Sequence, residues 1–114
     1  LYPGWSGLSA VWDLRDLVTK RRYRRWNWYQ DSFDDEVILD ANRPVIIEGC
    51  GVLTPTNVSL ASLRVWCETP APLRRHRALT RDPEFRDHWA MWAIQERLHI
   101  ARHRPADLAD LTIS

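Results

Sequence analysis

Arg74, Arg77 and Arg81 are spaced three and then four residues apart, so a helix through them carries all three guanidinium groups on one face. Like charges stacked this closely repel unless acids or a bound anion answer them. Two chemistries fit. One is a solvated face, partly neutralised by Glu68, Asp82 or Glu84. The other is an arginine comb for nucleotide phosphates, whose oxygens match the planar fork of guanidinium donors. Spacing alone slightly favours the solvated face.

A second constellation is "RPVIIEGCGVL", Arg43 to Leu53. Val45, Ile46 and Ile47 form a β-branched run that reads as a buried strand, and it stops on an acid, Glu48. Gly49, Cys50 and Gly51 follow. Either Glu48 caps a loop and the glycines make a turn, or Glu48 faces a ligand at the carboxyl edge of a parallel sheet. A third is the basic and aromatic stretch from Lys20 to Tyr29, where arginines interleave with Tyr23, Trp26 and Trp28. Such a stretch can stack bases of single-stranded nucleic acid, frame a pocket for one nucleoside, or pack as a hairpin on its own domain.

Farther along, Trp89, Trp92, Glu96 and Ile100 share a helical face. Tryptophans in that arrangement are more often core than ligand platform, and Glu96 in an apolar stripe needs a partner, most naturally an arginine. His99 and His103 have helical spacing, but no nearby Cys or acid completes a metal site.

These residues need elements to position them. The chain has 114 residues, 45% of them apolar, which is enough for one packed domain. A net charge of +1 argues against a protein whose main work is gripping a polyanion. Lys20 is the only lysine beside many arginines, a bias that a GC-rich genome also produces. Cys50 and Cys67 are too few for a disulfide framework, so a reducing, cytoplasmic setting is expected. No apolar run approaches membrane-spanning length, and no membrane partner is expected.

Periodicity predicts a helix over Leu8 to Lys20, then a strand or hairpin arm through Tyr23, Trp26, Trp28, Tyr29 and Phe33. The first half of that arm is basic and its second half acidic. Short strands are predicted at Val45 to Glu48, Arg64 to Cys67 and Leu111 to Ile113, with helices from about Pro72 to Leu79 and from Pro83 onward. Asp82 is the expected N-cap of the latter, with Pro83 at its first position. Strands alternating with helices indicate an α/β fold with a parallel sheet.

In order, "VIIEGCG", "LRVWCET", "LRRHRALTRD" and "LADLTIS" resemble the second half of P-loop nucleoside and nucleotide kinases of the uridine kinase-like branch. "LYPGW" and "HWAMWAIQE" look like segments of an actinobacterial-type ATP-binding group of that branch. Arg74, Arg77, Arg81 and Asp82 match the family's lid pattern, and Ala109 and Asp110 match the start of its last strand. The family's acceptor arm usually carries Tyr-Asp, where this chain has "WNW" with Asn27 in the acid's place.

The resemblance implies a partial P-loop kinase-like three-layer α/β fold with parallel strands, residues 1–114 forming the carboxyl-side part of one domain. The phosphate-loop strand would be missing, because no G-x-x-x-x-G-K-[ST] occurs in the sequence. It further implies an ATP-dependent phosphotransferase using ATP and Mg²⁺, with a nucleotide and a small-molecule acceptor as partners and nucleic acid not among them. Glu48 would act at the catalytic centre through Mg²⁺-bound water rather than as a direct metal ligand. Arg74, Arg77 and Arg81 would hold nucleotide phosphates, and Tyr2, Trp5, Tyr23 and Trp26 would bound the acceptor pocket. The strands at Arg64 to Cys67 and Leu111 to Ile113 would then pair directly, while Val45 to Glu48 stands apart. The competing classes are a non-catalytic arginine- and tryptophan-rich module binding nucleic acid or nucleotide, and a degenerate kinase-like protein.

Overall fold

The computed structural model describes residues 8–27 and 29–114, with side chains described from Leu14 onward. It is a mixed α/β structure with two small sheets, one of them a parallel pair. The chain divides into two compact units, one running to Val52 and one comprising Leu53–Ser114. The expected Tyr2 and Trp5 lie outside the described residues, as does Trp28.

The first unit opens with α1, Leu8–Lys20. Its last turn is closed by a Lys20–Asp16 ion pair at 3.1 Å and by the Thr19 hydroxyl donating to the Arg15 carbonyl. Arg21 then takes the left-handed conformation, φ 55°, which ends the helix and turns the chain into a hairpin. Strands β1, Arg22–Asn27, and β2, Ser32–Ile38, pair antiparallel. The hairpin explains the split of charge along this stretch. Arg24 stands opposite Glu36, and Arg22 approaches Glu36 at 3.6 Å, so the basic strand and the acidic strand answer each other.

Asn27 shapes the hairpin tip. Its Oδ1 accepts from the backbone N–H groups of Tyr29 and Gln30, and its Nδ2 donates to the Asp34 carboxylate. An amide supplies acceptor and donor at once; an aspartate there would meet Asp34 with like charge. Packing on β1 is aromatic. The Trp26 and Phe33 rings meet edge to face at 4.9 Å, and the Arg24 guanidinium lies 4.1 Å from the Phe33 centroid.

The expected strand at Val45 to Glu48 is not formed. The backbone from Pro44 to Gly49 belongs to no ladder, and Ile46 is 94% exposed. Composition gives these residues β-propensity, but a strand exists only where a neighbour supplies hydrogen bonds, and no described strand pairs with this run. Gly49 has a local reason: a Cβ there would stand 3.0 Å from the Val52 side chain, inside a turn closed by Val52 N–H and the Gly49 carbonyl.

In the second unit a single 3₁₀ turn, Val58–Leu60, leads to β3, Val65–Cys67. Helix α2, Ala71–Arg81, follows with proline in its first turn, where the missing N–H costs nothing. The next expected helix is split. Pro83–His88 is 3₁₀, and α3 runs Trp89–His103. Asp82 stands at the N-cap of the 3₁₀ segment but makes no side-chain cap bond there. Arg104, at φ 46° and ψ 56°, turns the chain from α3 into the short α4, Pro105–Leu108, ahead of β4, Leu111–Ile113.

β3 and β4 pair directly and in parallel, Val65 opposite Leu111 and Cys67 opposite Ile113, as expected for these two strands. Arg64 and Asp110, each one residue before its strand, lock the register. Arg64 Nε and Nη2 donate to the two Asp110 oxygens at 2.9 and 2.6 Å, and the Arg64 backbone N–H donates to the same carboxylate. By strand alternation Val65, Cys67, Leu111 and Ile113 share one face, and all four are exposed. Among the described residues no Val, Ile, Leu, Met, Phe, Tyr or Trp side chain is buried; Asn57, Gln95, Glu96, His99 and Pro105 are.

Candidate functional site

The arginine face sits on α2. Arg74 is half-buried, and its Nη1 donates to Glu96 Oε2 on α3, 22 residues away. The arginine partner expected for Glu96 is therefore Arg74. Glu96 is 7% exposed, so this ion pair ties α2 to α3. Arg77 and Arg81 remain exposed and make no ion pair with a described residue. The three share a helical face, yet the first guanidinium is held by protein and the other two face solvent.

Glu48 is exposed and belongs to the first unit, whereas the arginines belong to the second. Tyr23 and Trp26 are both half-buried on β1, and the register against β2 shifts between Arg24 and Trp26; Trp26 and Arg24 both meet the Phe33 ring, whereas Tyr23 stands opposite Val37. The hairpin alone does not bring them to one pocket wall. Trp89 and Trp92 stack along α3 with centroids 5.1 Å apart.

Charge distribution follows from these contacts. Asp110 is held below the usual carboxylate range, first by the Arg64 side chain and then by the Arg64 backbone N–H, and Arg64 is raised in turn by Asp110. His99 is lowered from the ordinary 6.5, chiefly by burial and then by His103, whose ring lies 4.9 Å away; a hydrogen bond to the Leu53 carbonyl works the other way. Burial thus favours the neutral form of His99 in the folded chain. Because the folded value is depressed, its contribution is intact above about pH 6.5 and is lost as pH falls through the folded value. Thermal melts at pH 8 and pH 5 should show a larger drop for the wild type than for His99→Gln. Equal drops would place the acid sensitivity elsewhere.

Sequence reasoning missed a cleft of about 260 Å³ in the second unit. It is lined by Trp66 of β3, by Glu68 just after that strand, and by Ile100, Arg104, Pro105, Ala106 and Asp107 around the α3–α4 junction. The Trp66 indole N–H donates to Glu68 Oε2 at 2.6 Å, and Arg104 Nη2 meets Asp107 Oδ2 at 2.6 Å. The visible signal was the i, i+2 spacing of Trp66 and Glu68, which puts them on one strand face.

Among the described residues no group of three or more His, Cys, Asp or Glu side chains could hold a metal ion, and no helix is long and apolar enough to cross a membrane. No protein-family model matches the chain, and comparison with curated proteins and with solved structures finds no match either.

Proposed function

We propose that the chain forms the lid and acceptor side of an ATP-dependent phosphotransferase of the nucleoside and nucleotide kinase-like type, working in the cytosol. The observation that carries this reading is the unit β3–α2–α3–β4. Two strands pair directly and in parallel, and the helix that leaves β3 presents Arg77 and Arg81 exposed, with no ion pair to a described residue. Parallel pairs joined through helices are how α/β folds build phosphate-handling sites. The three-layer P-loop arrangement and the single domain belong to the same proposal.

The donor sets fit the implied groups in part. Arg77 and Arg81 are exposed guanidinium groups able to close on nucleotide phosphates, and the exposed Glu48 carboxylate can accept from Mg²⁺-bound water. Arg74 would position the lid rather than touch phosphate, since Glu96 holds it. Tyr23 or Trp26, with Tyr2 and Trp5, would border the acceptor. Bound ATP and Mg²⁺ would supply the transferable phosphoryl group and its charge neutralisation; the protein's part is orientation. The glycine-rich backbone cradle and its lysine are not among these 114 residues, so the reading requires them to be encoded outside this sequence.

That requirement gives the test. The 114-residue chain alone should transfer no phosphoryl group from labelled ATP to nucleosides. The reading frame extended upstream of Leu1 should encode a G-x-x-x-x-G-K-[ST] loop, and its product should turn over at about 1 s⁻¹ or faster. Turnover by the short chain, or an upstream sequence without that loop, overturns the proposal.

A further inference from the structure

We propose that the cleft between β3 and the α3–α4 junction binds an organic cation, an ammonium or guanidinium group carried on a short apolar stem. The site is separate from the arginine face of α2 and does not depend on the phosphotransferase reading.

Four observations point to that class. The lining carries two carboxylates, Glu68 and Asp107, against one guanidinium, Arg104. Asp107 answers that guanidinium through Nη2, which leaves the lining with a net charge of −1. Each carboxylate uses one oxygen within the protein; Glu68 Oε1 and Asp107 Oδ1 accept no hydrogen bond from a described residue. The indole N–H of Trp66 is committed to Glu68, which holds the carboxylate beside the aromatic ring. A cation placed there meets a carboxylate and an aromatic ring together.

Between the two polar pairs the lining is apolar, with Ile100, Ala106 and the fully buried Pro105. At about 260 Å³ the cleft is smaller than a drug-sized pocket, which suits a stem of a few carbons. The left-handed turn at Arg104 is what folds α4 back to complete this wall. Non-glycine residues adopt that conformation rarely, and local backbone strain of this kind is retained where the surrounding structure enforces it.

The ligand chemistry has two sources, a free amine or a lysine side chain on a peptide. The probes are n-butylammonium and N-acetyl-lysine methylamide, with butyrate and n-butanol as controls at matched ionic strength. Each is titrated into the ¹⁵N-labelled chain while the Trp66 indole N–H is followed, assigned by its loss in Trp66→Phe. The expected result is a saturable shift with Kd on the order of 1 mM for a cation of this size. Glu68→Gln should weaken it at least tenfold, and butyrate should give no saturable shift. Tighter binding of the lysine derivative assigns a peptide ligand, and tighter binding of butylammonium a free amine. Asp107→Asn carries the test if Glu68→Gln fails to fold. Equal shifts with butanol or butyrate, no saturation with either cation, or wild-type binding in a folded carboxylate variant overturns the site.

Discussion

Arg77→Ala and Arg81→Ala should each lower phosphoryl transfer by about 10³-fold in the protein that carries the phosphate loop, because an arginine acting on transition-state charge is worth that much or more. Both side chains are exposed and neither is ion-paired to a described residue, so each substitution should change stability by about 0.5 kcal/mol at most. Arg102, also exposed but on α3, is the control and should leave the rate unchanged. Steady-state kinetics with ATP beside thermal melts separates the two effects. Wild-type turnover in both lid variants would make the arginine face a solvated one and remove these residues from the proposed site.

Arg74→Ala should behave in the opposite way, with stability taking the larger loss. Glu96 would stay nine-tenths buried with its charge unanswered, and breaking a buried pair from one side costs about 3–5 kcal/mol. Arg74 is itself partly exposed, so the lower end, about 3 kcal/mol, is expected. The double variant Arg74→Leu/Glu96→Leu removes both charges and should recover most of that loss. Urea denaturation of the single and double variants measures it. A cost below about 1 kcal/mol for Arg74→Ala would mean that the pair behaves as a surface ion pair.

The contrast between Arg74 and Arg77 shows what the sequence makes legible. Helical spacing placed all three arginines on one face, and the need of Glu96 for an arginine was readable from its place in an apolar stripe. That the two needs meet in Arg74 depends on how α2 packs on α3, which spacing along one helix does not carry. The hairpin and the β3–β4 pair were readable because each brings its own partner within the described chain. Val45 to Glu48 opens on an apolar run as β3 does but pairs with no described strand, so the pattern predicted a strand where there is none. The Arg64–Asp110 lock becomes visible only once Val65 is known to face Leu111. The cleft combines residues from β3 with the left-handed turn at Arg104, and nothing in a linear pattern announces such a turn at an arginine.

The run at Val45, Ile46 and Ile47, which pairs with no described strand, also has a colloidal consequence. Open backbone donors and acceptors beside β-branched side chains are a template on which identical segments from other chains can stack in register. A net charge of +1 supplies almost no mutual repulsion to keep molecules apart. The restraint falls to the flanks, where Pro44 withholds one donor and Arg43 and Glu48 place charge at either end of the apolar run. These three flanking residues are the features of the run that oppose such stacking.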